Sequence, residues 1–110
     1  MGVLIEPLTR LYQFREFTAV ATFLEKHPFI QELLSEAHER IKENFGEESQ
    51  VALEVFTDPE AQEDQQLVAY VQTELLPEEA WNRLHRLDQA WWLDAGRRAH
   101  GLLAIHIEYT

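Results

Sequence analysis

VALEVFTDPEAQEDQQLVAYVQT, residues 51–73, decides the fold. Its two ends, 51–57 and 66–73, alternate with a period of two and are rich in β-branched and aromatic types, which suit a pleated, half-buried surface. The polar run DPEAQEDQ between them, 58–65, makes the pair a hairpin.

Working outward from this hairpin, LLPEEA reads as a helix start with early acids, opening a helix from about Pro77 to Ala95. The closing LLAIHIEYT alternates again and reads as a third strand. Upstream, HPFIQELLSEAHERIKENFG keeps Ile30, Leu33, Leu34, Ala37, Ile41 and Phe45 on one stripe. Pro28 suits its first helical position and Gly46 its stop, and His38 is expected on the solvent side. From Leu8 to Leu24 no proline or glycine intervenes, so one helix is expected there. Its apolar residues spread around most of the circumference, which calls for more than one packing surface: either the helix runs through the middle of the fold or it meets a second subunit.

The order is therefore α-α-β-β-α-β, an α+β domain spanning residues 1–110. The third helix returns the chain so that the last strand runs parallel to the second. Placing it beside the first strand gives a three-stranded, mainly antiparallel sheet of order 2-1-3 packed on helices. One sheet face then carries Val51, Leu53, Val55, Leu67, Ala69, Val71, Leu103, Ile105, Ile107 and Tyr109, a core face. The other carries Ala52, Glu54, Phe56, Val68, Tyr70, Gln72, Leu102, Ala104, His106 and Glu108, too mixed for a plain solvent face and hence a candidate interface.

With 110 residues, 45% of them hydrophobic, the chain can bury one core. It has no cysteine, which excludes disulfides, thiolate metal sites and cysteine nucleophiles. The net charge of −11 is concentrated in residues 28–65, where eleven acids face only Arg40 and Lys42. That field repels phosphate backbones and anionic membranes, so neither nucleic acid nor membrane is expected as a partner, and a basic protein fits better. No stretch has the length of a membrane span, and the opening MGVLIEPL lacks the pattern of a signal peptide, which places the chain in the cytoplasm.

Chemistry is sparse. On the mixed face Glu54 could approach His106 and Glu108, with Tyr70 across the sheet, a set able to do acid–base work or hold a divalent metal. Solvated cross-strand pairs are the commoner meaning of such a set, and neither a metal nor a cofactor is expected. Asp58, Glu60, Glu63 and Asp64 concentrate carboxylates in the hairpin loop but lack the spacing of a calcium loop. On the third helix Leu84, Ala80, Leu87, Trp91 and Ala95 form a core stripe. Trp81, His85, Asp88 and Trp92 form a second line on one flank, either a seam against the N-terminal helices or an interface. Gly96 is placed to end that helix, with Arg97 and Arg98 at its negative end.

The segments HPFIQELLSEA, FGEESQVALEVFTDPE, LLPEEAWNRLHRLDQAWWLDAGRRAHG and LLAIHIEY resemble a group of small bacterial proteins with LEV-x-x-DPE and L-D-x-x-W-W-L segments. The resemblance runs from about residue 27 onward and implies a compact bacterial domain with no catalytic assignment. The expected function is a non-enzymatic interaction module, homodimeric, an adaptor or antitoxin-like regulator of a basic partner protein. The alternatives are a metal-dependent hydrolase using Glu54, His106 and Glu108, and a small-molecule binder lined by Trp81, Trp92 and Tyr70.

Overall fold

The computed structural model describes residues 6–110, apart from the side chains at 6, 62 and 63. The first five residues of the opening segment, and the Glu63 carboxylate of the hairpin, thus lie outside the described parts. Among the described residues four main helices and four strands follow in order. They are α1 (Glu6–Leu11), β1 (Gln13–Phe14), α2 (Phe17–Lys26), α3 (Pro28–Phe45), β2 (Gln50–Asp58), β3 (Ala61–Thr73), α4 (Pro77–Leu87) and β4 (Leu103–Tyr109). Beyond α4 the helical path continues through a π-turn, Asp88–Trp92, a short α-turn, Leu93–Ala95, and a 3-10 turn, Gly96–Ala99. None of these helices is long and apolar enough to cross a membrane.

The fold is α+β, but the sheet differs from the expected three-stranded one. It has four strands in the order β1-β2-β3-β4, and it is mixed: β1 is parallel to β2, β2 antiparallel to β3, and β3 parallel to β4. The last strand does run parallel to the second hairpin strand, but it lies beside it, not beside the first. Two physical reasons exclude the 2-1-3 order. α4 and the turns after it form a crossover long enough to return β4 alongside its parallel partner. The free edge of β2, where β4 was expected, is partly occupied by β1.

β1 also overturns the single N-terminal helix. Tyr12 is buried and its hydroxyl donates a 2.6 Å hydrogen bond to the Leu34 carbonyl of α3. That anchor ends α1 and sets Gln13 opposite Ala52 and Phe14 opposite Leu53, while the Arg15 amide donates to the Leu53 carbonyl at 2.9 Å. Glu16 then takes a left-handed backbone, φ 56°, which turns the chain into α2. Leu8, Tyr12, Val20, Phe23 and Leu24 all reach one core from separate short elements. Most of the apolar circumference is thereby accounted for within one chain, while Phe17 stays 54% exposed.

α3 matches its expected span. Pro28 stands at its start and Gly46 at its end with φ 103°, a backbone conformation that side-chain-bearing residues rarely adopt. His38 is not solvent-side as expected: it is half-buried, its ring edge-on to Tyr12 at 5.9 Å between centroids, and burial lowers its pKa, with Lys42 adding to the effect. The hairpin is tighter than the expected loop of residues 58–65, because β3 begins at Ala61, opposite Asp58. Asp58 accepts the Glu60 amide through its carboxylate at 2.8 Å, and the register shifts between Thr57 and Asp58 as β3 takes up its extra residues.

The alternation of faces holds within the strands, but Leu102, expected on the mixed face, precedes β4 and packs against the core. The sheet residues that enter the core are Val51, Leu53, Leu67, Ala69, Val71, Leu103 and Ile105, all odd-numbered and so all on one face. Against them pack Val20, Phe23 and Leu24 of α2, Ile30, Leu33, Leu34 and Ile41 of α3, and Leu87 at the end of α4. The helices thus share the odd-numbered face, and the even-numbered face contributes nothing to this core cluster.

Candidate functional site

The uncovered sheet face is built from cross-strand rows. Gln13, Ala52, Tyr70 and His106 stand in one row, Gln50, Gln72 and Glu108 in the next, and Glu54, Val68 and Ala104 in a third. The short side chains of Ala52 and Val68 sit down among longer neighbours and are buried, whereas Phe56, at the hairpin end, is 58% exposed.

Arg15 organises this face. Projecting from the end of β1, its guanidinium donates to Glu54 Oε1 on β2 at 3.3 Å and to Glu108 Oε1 on β4, and it lies 5.3 Å from the centre of the Tyr70 ring on β3. Gln72 adds a 3.0 Å hydrogen bond to the same Glu108 oxygen. The hydrogen bond from Arg15, and then that from Gln72, hold the Glu108 carboxyl below its ordinary pKa. The same pairing, led by Glu108, raises that of Arg15. Each of these side chains is a third to a half exposed, so the trio adds little stability but fixes three side chains in one geometry.

The expected set of Glu54, Tyr70, His106 and Glu108 therefore does share one face, but the chemistry differs. Both carboxylates face an arginine rather than His106, whose ring lies beside Tyr70 at 6.2 Å. Among the described residues no three histidine, aspartate or glutamate side chains are grouped as metal ligands. The cation between Glu54 and Glu108 is the Arg15 guanidinium.

The sequence pattern does not point to Arg15, which falls inside the run 8–24 that reads as one helix. The available signal was the polar–apolar–polar run Gln13, Phe14, Arg15, too short to stand out as a strand.

The α4 flank resolves into two parts. Trp81, 61% exposed, stacks on His85 with centroids 6.5 Å apart and an interplanar angle of 22°. Asp88 lies half-buried further along, and burial raises its carboxyl pKa against a smaller opposing effect of His85. Trp92 does not continue that line. The π-turn over Asp88–Trp92 widens the helix and turns both Trp91 and Trp92 onto the core, with their rings 5.5 Å apart. Trp91 donates to Glu36 of α3 at 3.4 Å, and Arg98 reaches the same carboxylate at 2.6 Å, lowering its pKa. These contacts form the seam between α3 and the segment following α4.

The α-helical part ends at Ala95 with Gly96 as its C-cap, as expected, but not through a left-handed glycine, and a 3-10 turn follows. The φ of Gly96 is −59°, and a Cβ there would meet the Trp92 indole at 3.3 Å, so glycine makes room for that ring. The chain leaves the helical path at His100, φ 53°, and Gly101, φ 79°. Tyr70 faces away from the helix layer, so it does not line a pocket with Trp81 and Trp92.

Clefts open at the margins of the sheet and share residues such as Gln50, Gln72 and Phe56 with its uncovered face. One of about 550 Å³ opens beside Tyr12, between α1, α3 and the start of β2, and is lined by Arg10, Gln13, His38, Lys42, Glu47 and Gln50 among others. It is shallow and polar, and Lys42 within it bonds the Glu47 carbonyl. Compared with known proteins, the chain matches no family model, no curated protein and no solved structure.

Proposed function

We propose that the chain is a non-enzymatic cytoplasmic interaction module, an adaptor or antitoxin-like regulator that docks a basic partner protein on its uncovered sheet face. One observation carries this reading: four strands present a face without helices, on which exposed Phe56 and half-exposed Tyr70 flank an arginine-clamped pair of carboxylates. Arg15, Glu54 and Glu108 together retain one negative charge. A lysine or arginine of the partner can add to the oxygens that Arg15 leaves open, while an apolar side chain covers Phe56. Rigid positioning by Arg15 limits the ordering needed when the partner arrives.

The test takes the protein that co-purifies with this chain from its own host and titrates it by calorimetry. Phe56→Ser and Glu54→Lys each weaken binding about tenfold or more, as expected for a buried anchor and a reversed charge. Trp81→Ser, on the helix side, leaves affinity unchanged. Loss of binding in Trp81→Ser together with full affinity in Phe56→Ser would move the docking surface to α4 and refute the proposal.

A further inference from the structure

We infer that a second copy of this chain pairs with the outer edge of β4, antiparallel and with its two-fold axis at Ile107, joining two sheets into one of eight strands. This goes beyond the interaction reading above and takes up the homodimer that the sequence leads one to expect.

The direction of the backbone groups comes first. The Leu102 carbonyl accepts the Leu67 amide at 2.8 Å, and the Thr110 amide donates to the Thr73 carbonyl at 3.0 Å. In a parallel ladder a residue's N–H and C=O point to the same side, so the even-numbered positions of β4 face β3. Leu103, Ile105, Ile107 and Tyr109 then point theirs outward. β1 covers the Ala52–Leu53 stretch of the outer edge of β2, whereas among the described residues β4 pairs only with β3 and its whole outer edge is unpaired. Its sequence, LAIHIEY, has no proline or lysine, its one acid, Glu108, is held by Arg15 and Gln72, and its register with β3 runs without a bulge.

Self-complementarity then fixes the register. Shifts by an odd number of residues would set core-face side chains against the open face and are excluded. With the axis at Ile107, Ile107 pairs with the second copy's Ile107 and Ile105 with the second copy's Tyr109. All three residue types offer outward backbone groups, and together the pairs exchange six hydrogen bonds. On the open face His106 stands opposite the second copy's Glu108, and Glu108 opposite the second copy's His106. Moving the axis to His106 would set the two histidines against each other and Glu108 against alanine. Tyr109, 52% exposed, and half-exposed Ile107 become covered. The two uncovered faces become one continuous surface with two Arg15 clusters.

Each copy carries a net charge of −11, so association strengthens as salt is added. Sedimentation velocity on the full chain at moderate salt is expected to show a concentration-dependent dimer. His106→Glu places four acids across the junction and raises the dissociation constant about tenfold, with the circular dichroism unchanged. Because the chain has no cysteine, single cysteines report the register. Under mild oxidation Ile107→Cys forms a covalent dimer faster than His106→Cys or the exposed control Ser35→Cys. A strict monomer at high concentration, unaltered association in His106→Glu, or faster cross-linking through His106→Cys each overturns the inference. Phe56→Lys is expected to dimerise as the parent does while failing to bind the partner. Loss of the dimer in that variant would mean that the copies meet face to face, and edge pairing would be rejected.

Discussion

Replacing Tyr12 by phenylalanine measures how firmly the N-terminal segment is tied to the rest of the chain. The side chain is 4% exposed and its hydroxyl donates a 2.6 Å hydrogen bond to the Leu34 carbonyl. Phenylalanine keeps the ring and its burial, so the substitution isolates the hydroxyl. Leu34 lies within α3, where the carbonyl also serves the helix ladder, so no acceptor is stranded. The loss is then that of one net hydrogen bond, about 1 kcal/mol, which lowers the Tm by about 4 °C in a domain of this size. The second arm of the experiment is pH. Burial pushes the Tyr12 phenol well above its ordinary value of 10.0. Above that value the unfolded chain releases the proton and the folded chain keeps it. Stability is therefore unaffected by this group below about pH 10 and falls above it, by up to about 1.4 kcal/mol per pH unit. Tyr12→Phe removes that contribution to the slope. Urea denaturation of both proteins near neutral pH and between about pH 9 and 11 reads both effects. Equal stability at neutral pH together with an equal alkaline slope would refute the buried, hydrogen-bonded phenol.

Two further substitutions probe the same region and the open face. Glu16→Gly relieves the left-handed backbone that turns β1 into α2, and denaturation is expected to show a gain of up to about 1 kcal/mol, less the extra entropy of an unfolded glycine; a clear loss would contradict the strained turn. Arg15→Gln releases Glu108, whose carboxyl is held below its ordinary pKa and so stabilises the fold above that range and ceases to as pH falls through its lowered value. The variant should therefore lose stability less steeply than the parent on acidification, by thermal unfolding across the acid range, and an unchanged acid profile would count against the clamp.

The parts of this fold that a one-dimensional pattern can carry were readable, and the rest were not, for identifiable reasons. Alternation in residues 51–57 and 66–73 placed every core residue of the hairpin on the correct face, because parity is a property of one strand. Strand order is not: alternation says which way Leu103 and Ile105 point, but nothing about whether they lie beside Leu53 or Ala69. β1 is only two residues long, and its place was set by Tyr12 reaching Leu34, a contact 22 positions away. The tryptophan doublet was divided between core and flank on the assumption of a uniform helix. The π-turn breaks that assumption and seats both rings on the core. Gly96 does mark where the α-helical part ends, but the glycine serves the space beside the Trp92 ring rather than a positive φ. The open-face candidates were found by parity, and the arginine that governs them was missed because it belongs to the strand that parity could not reveal.

The two-residue strand also orders the assembly of the molecule in time. β2 and β3 close on each other across a turn at Pro59 and Glu60, and α3 can form from its own sequence. β1 must instead meet β2 across the whole of α2 and α3, with Gln13 coming to rest beside Ala52. Loop-closure entropy makes that meeting costlier than the hairpin's, which is expected to place it late in folding and early in unfolding. Arg15 arrives with β1. A nascent or partly opened chain would therefore expose Glu54 and Glu108 as bare carboxylates, and the surface offered to a partner acquires its final charge only when the amino-terminal segment has docked.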